Sequence, residues 1–362
     1  MSLRIYIAAL VAGVAASASA QTHTWTGTAG DGLWSTNANW LDGARPVSST
    51  LSTIDLTQAF FPIPTTNDLG DGVNVGTLKL GVAGFRGNTL VVNAAVIAGP
   101  ESTQAWSYND DLKLQLAGDV AFTSSFPAGQ RQATPIGRLT GPGTATFHGH
   151  WQVTDFSAGG MVIAPDGALT TYSNSTPVAL NTFNVAGVYD VNLTVDLPAG
   201  QLADLSAAVV NLGQGTNTLG APVAGRAGFT GDMRLGRWVL QAVNFGNDLY
   251  GDRIDVGGTL DLRNSDVDEL AYFSFASLAR PDYFVLATYG NRIGTLDIST
   301  LSIGSTNLSG PSGLTGEFPI IYTSAENSGP GEIRVMLPEP SSLLTLTACA
   351  LLARRCRRQS HA

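Results

Sequence analysis

Cysteine is missing from almost the whole chain. Both cysteines, Cys349 and Cys356, fall among the last residues, so residues 21–337 contain none. That excludes disulfides, thiolate metal sites and cysteine nucleophiles from this body. Lysine is nearly as scarce: only Lys79 and Lys113 occur. Five of the 19 basic residues (Arg4, Arg354, Arg355, Arg357 and Arg358) lie at the two ends, which leaves the body at about −13. An acidic body with two lysines lacks the footprint that phosphate backbones require, so nucleic acid is excluded as a partner. Also absent are a Gly-x-Ser-x-Gly elbow, a His-Glu-x-x-His pair and a phosphate-binding loop. The expectation is a protein that is not an enzyme.

What is abundant points to strands. The 42 glycines, together with frequent Thr, Ser, Asn and Val, suit pleated surfaces and tight turns and disfavour long helices. Period-two alternation recurs. Leu112, Leu114 and Leu116 alternate with Lys113 and Gln115, and Val191, Leu193, Val195 and Leu197 alternate with Asn192, Thr194 and Asp196. Ile254 and Val256 are followed by Leu260 and Leu262 in the same manner. Each pattern predicts a half-buried strand. The body from 21 to 337 therefore reads as all-β, with one short helix expected over Asp266–Ala279.

A phrase repeats as Gly76-Thr77-Leu78-Lys79-Leu80, Gly258-Thr259-Leu260-Asp261-Leu262 and Gly294-Thr295-Leu296-Asp297-Ile298, with a looser copy at Gly87-Asn88-Thr89-Leu90. Each predicts a turn glycine entering a strand with two inward aliphatics. Two architectures satisfy the pattern. A parallel β-helix, stacking coils on an aliphatic column, is favoured by many short strands in a long cysteine-free body. A β-sandwich is the alternative.

The ends read as addresses. Arg4, the apolar run Ile5–Val14 and the small residues Ala18-Ser19-Ala20 before Gln21 have the layout of a signal peptide over residues 1–20, cleaved between Ala20 and Gln21. At the other end, residues 338–362 order Pro338-Glu339-Pro340, an apolar stretch at 341–353 and the cluster Arg354, Arg355, Arg357 and Arg358. Guanidinium groups resist transfer through lipid, so such a cluster halts export with the body outside. The apolar stretch predicts a short hydrophobic helix. At about 13 residues it reaches roughly 20 Å, short of the ~30 Å hydrocarbon core, and gives transient membrane association.

This tail resembles the PEP-CTERM sorting signal in Pro338, Glu339, Pro340, Ser341 and Ser342, in Leu351-Leu352-Ala353 and in the arginine cluster. The resemblance implies removal of the tail near Pro338 by an exosortase-type membrane peptidase, and delivery to the cell surface or extracellular matrix. The phrase Asp252–Leu262, followed by Tyr283–Tyr289, Gly316-Glu317-Phe318 and Ile320-Ile321-Tyr322, looks like the closing segment of autotransporter-like β-strand repeat proteins. That second resemblance implies a passenger-type β-helix. The middle, from Gly99 to Gly231, resembles nothing identified.

Residues 24–46 hold Trp25, Trp34 and Trp40 among turn residues and resemble the opening of the same exported group. They predict a cap over an open sheet end, with a sugar-stacking platform as the competing use of three indoles. His148 and His150, two apart on a strand, are expected to share a face, with Asp155 the nearest further ligand. Acidic residues cluster at Asp110-Asp111, at Asp248, Asp252 and Asp255, and at Asp266-Asp268-Glu269. Surface turns are the expected role, and structural calcium is the one ion such oxygens would suit. No other cofactor and no metal site is expected. The functional expectation is a non-enzymatic surface or matrix protein. The alternatives are an exported β-helix carbohydrate-active enzyme and a carbohydrate-binding protein, with extracellular polysaccharide as partner in either case.

Overall fold

A computed structural model describes residues 20–58, 64–81, 84–99, 111–125, 133–171, 177–191, 193–212, 225–245, 249–275, 283–303, 316–324 and 329–336. Among these the protein is all-β, with a three-residue 3-10 turn at Asn37–Asn39 and no helix long and apolar enough to cross a membrane. The hydrophobic stretch 341–353, Pro338-Glu339-Pro340 and the arginine cluster lie outside the described residues, as does the leader up to residue 19.

The strands pair mainly in parallel. Thr53 is register partner of Thr77, Thr77 of Ala95, Ala95 of Ala121 and Ala121 of Thr146, in steps of 24, 18, 26 and 25 residues. Parallel neighbours need such long connections, since a hairpin cannot join them. One position further along, the same ladder aligns Ile54, Leu78, Val96, Phe122 and Phe147, all fully buried. His23 heads this column as partner of Ile54. A parallel column beside it runs Leu90, Leu114, Leu139. The alternation read from the sequence thus supplies the inward residues, and each parallel strand adds one apolar rung.

The 38-residue strand Thr134–Thr171 carries the chain from one rung to the next. Its first part pairs with Lys113–Leu116 and Val120–Ser124, its last part with Thr182–Val185 and Val188–Val191. Glycine is needed where rungs close on each other. A Cβ at Gly167 would stand 2.2 Å from the Phe147 carbonyl oxygen, and one at Gly187 would stand 2.2 Å from that of Gly167. Toward the C-terminus a further column runs Leu169, Tyr189, Val210, Trp238 and Val267. A neighbouring one runs Val178, Val195, Phe229, Val256 and Tyr289.

Four ladders among the described residues are antiparallel. Three of them join Tyr283–Ile293 to Gly331–Met336, that strand to Gly316–Thr323, and Gly316–Thr323 to Thr300–Ile303. The parallel ladder therefore ends in an antiparallel meander, whose paired backbone covers the last edge.

Three local expectations are corrected. The short helix expected over Asp266–Ala279 is a strand, Asp266–Phe275, in parallel register with Asp232–Phe245. Trp238 opposite Val267 places the Val side chain inward, so ladder pairing overrides local helix preference. Gly76 and Gly258 do not open strands. They lie inside Val73–Leu80 and Arg253–Asp261 at shifts of register, where the strand turns a corner and continues. The third copy, from Gly294, follows the strand Tyr283–Ile293 and forms a loop that still buries Leu296.

Candidate functional site

The three indoles of the opening segment are buried against one another. Trp25 and Trp34 each stand edge-to-face with Trp40, at centroid distances of 5.1 and 5.5 Å, and Trp34 packs on Phe85 at 5.4 Å. Trp40 Nε1 donates to the Trp34 carbonyl (2.9 Å). With exposures of 4, 0 and 2%, Trp25, Trp34 and Trp40 offer no open face for a pyranose ring. Asp31 ties the segment together, accepting from Thr36 Oγ1, Asn39 Nδ2 and the Leu33 amide. Those donors, Thr36 first, hold its carboxyl below the usual range.

His148 and His150 part company. Gly149 between them takes a positive φ of 70°, which breaks the alternation. The His148 side chain is 40% exposed, with Nδ1 2.9 Å from Asp166 Oδ1, whereas His150 is buried at 3%. The expectation of two imidazoles on one face is overturned by that backbone turn. Asp155, the third ligand considered, instead pairs with Arg138 at 3.0 Å.

His150 joins a polar column that local sequence reading missed. Its Nε2 stands 3.0 Å from Thr170 Oγ1, and that hydroxyl donates to Asp190 Oδ2 (3.1 Å). Since Thr170 gives its only proton to Asp190, the Nε2–H of His150 is the donor in the first bond. Residues 150, 170 and 190 stand 20 residues apart in sequence and side by side in the fold, and all three are buried. The signal was the 20-residue spacing, which alternation within one strand cannot reveal. Mutual satisfaction makes this a packed polar rung rather than an exposed nucleophile.

Several of the clustered acidic groups have basic partners. Asp110 and Asp248 lie outside the described residues, and Asp111 stands 3.6 Å from Arg86. Asp252 accepts from the Gly225 amide (2.9 Å). Asp255 accepts from Arg226 Nε (2.5 Å), Arg253 Nε (2.7 Å) and Thr288 Oγ1 (2.5 Å). Burial works to raise its pKa, and the bonds from Thr288, Arg226 and Arg253 outweigh it and hold the carboxyl low. Asp261 is held lower still, chiefly by its hydrogen bond from Arg263, with Arg234 adding to it against the opposing effect of burial. Asp266 and Asp268 sit in the strand Asp266–Phe275, and Glu269 follows them there. No group of three His, Cys, Asp or Glu residues among those described is placed to hold a metal ion.

A concave surface lies elsewhere among the described residues. An open cleft of about 420 Å³ lies on the outer face of the parallel ladder, with Thr89, Lys113, Gln115, Arg138, Thr140 and Ser157 in its wall. Lys113 and Arg138 are register partners, as are Gln115 and Thr140. Of the proposed address residues, Ala20 and Gln21 are described and exposed, and the Gln21 carbonyl accepts from the Thr53 amide (2.8 Å). No family model, curated protein or solved structure matches the chain.

Proposed function

We propose that the chain is an exported, non-enzymatic protein of the cell surface or extracellular matrix, sorted by residues 338–362. The single observation behind this reading is the order of the tail: Pro338-Glu339-Pro340, an apolar stretch, then Arg354, Arg355, Arg357 and Arg358 at the extreme C-terminus. Export begins with the leader ending at Ala18 and Ala20, ahead of Gln21. A membrane peptidase of the exosortase type then cuts near Pro338, while the arginines hold the chain at the cytoplasmic side. The tail's membrane association ends with that cut.

The body is proposed to be a parallel β-helix. Its support is the run of parallel register from Thr22 to Thr146, with one continuous inner column. A β-sandwich would set antiparallel strands across two facing sheets. The non-enzymatic reading draws on Asp255 and Asp261, which are committed to arginine partners, and on Trp25, Trp34 and Trp40, which are packed inside.

Intact mass of the protein recovered from its native cells tests the route. The expected species begins at Gln21 and ends near Pro338. A mature surface protein that retains Arg354–Arg358 would overturn it.

A further inference from the structure

We propose that the cleft on the outer face binds a carboxylated polysaccharide, with the Lys113 ammonium meeting a uronate carboxylate. Neighbouring Thr89, Gln115, Thr140 and Ser157 meet the sugar hydroxyls. The inference is independent of the sorting tail and concerns only this face of the body.

Charge placement is the first argument. Lys113 and Arg138 are partners on adjacent parallel strands, whose backbones lie about 4.8 Å apart. Like charges in that relation are unfavourable, so the fold holds two cations together against their repulsion. Arg138 is relieved by Asp155 at 3.0 Å. Lys113 is exposed and has no carboxylate within ion-pair distance among the described residues. The other lysine, Lys79, stands 3.5 Å from Asp55. Among the described residues Lys113 thus presents to solvent, at the cleft, an ammonium without an acidic partner.

The wall chemistry narrows the ligand. Hydroxyl and amide groups surround the ammonium, Leu114 points inward and is fully buried, and no aromatic ring lines the cleft. Such a surface suits a polyol chain better than an apolar peptide. A phosphate favours a bidentate guanidinium fork, and here Arg138 Nε already stands 3.0 Å from Asp155. Asp155 also repels a second anion at that rung. One uronate carboxylate fits the Lys113 ammonium, and its ring hydroxyls fit the polar side chains that line the cleft beside it.

The test measures binding of purified full-length protein to polygalacturonate and to its fully methyl-esterified form, whose carboxylates are neutral. The acid form should bind at least about tenfold more tightly. Lys113→Gln should lose about tenfold of that affinity, as expected for one charge-assisted hydrogen bond, while Lys113→Arg keeps most of it. Lys79→Gln removes the same net charge elsewhere and should leave binding unchanged. Circular dichroism and melting curves identical to wild type would establish that each variant is folded, which the exposure of Lys113 favours. Equal binding of ester and acid, no binding of either, or equal losses in Lys79→Gln and Lys113→Gln would overturn the proposal. Displacement of polygalacturonate by poly-glutamate or single-stranded DNA at lower concentration would overturn it in favour of another partner class.

Discussion

Residues 53–147 and residues 226–293 build the same parallel ladder with different fastenings. The first region steps by 18 to 26 residues along Thr53, Thr77, Ala95, Ala121 and Thr146. Its charged pairs among the described residues are isolated: Lys79 with Asp55 at 3.5 Å, Arg86 with Asp111 at 3.6 Å and Arg138 with Asp155 at 3.0 Å. The second steps by 27 and 33 residues from Gly228 to Asp255 to Thr288. There the acids are shared: Asp255 serves Arg226 and Arg253, and Arg234 spans Asp204 (2.9 Å) and Asp261 (3.4 Å). Both regions bury an apolar column, but only the second adds a charged lattice that links rung to rung. The first is held chiefly by packing, which is indifferent to pH, while the lattice is sensitive to it.

Breaking the packed region should have the largest effect. Phe122→Ala removes a fully buried ring stacked between Val96 and Phe147 and packed on Trp151. A loss of about 3–5 kcal/mol is expected, measured by denaturant unfolding. The protection of residues 90–98 against amide exchange should fall with it.

Acid should act on the other region first. Asp204, Asp255 and Asp261 all have folded-state pKa values below the ordinary one. At Asp204, burial is again opposed and outweighed, by Ser206 and Arg234. A depressed carboxylate contributes fully above its unfolded pKa of about 4, and the contribution is lost as pH falls through the folded value. Hydrogen exchange followed downward from pH 4 should therefore open Arg226–Phe229 and Arg253–Asp261 before Leu90–Ala98. Simultaneous opening would erase the distinction between the regions.

A smaller change sharpens it. Asp255→Asn keeps the shape and removes the charge that Arg226 and Arg253 share, at an expected cost of about 1–2 kcal/mol. Added salt should lower the stability of wild type toward that of the variant, since part of the contribution is screened. An unchanged unfolding midpoint would mean that Thr288 and packing alone hold this rung.

Much of the fold was legible because the inner column is written in period two. Leu112, Leu114 and Leu116 are all fully buried, and so is the alternation from Ile254 to Leu262 at its aliphatic positions. Where one pattern crossed a corner, local reading failed. Val191 and Val195 belong to separate strands with separate partners, although they looked like one. The positive φ at Gly149 separated two histidines that spacing had placed together. The polar column through His150, Thr170 and Asp190 depends on which distant residues the ladder brings side by side, and local alternation does not carry that information. The cleft was hidden for the same reason: Lys113 and Arg138 meet only through register.

The reading of destination rests on the last basic residues, and replacing them is the most direct test. A chain with Arg354, Arg355, Arg357 and Arg358 changed to Gln should be followed in its native cells by fractionation and intact mass. Failure of C-terminal trimming, with the protein absent from the surface fraction, is the outcome expected. Normal trimming and normal surface delivery of that variant would contradict the account.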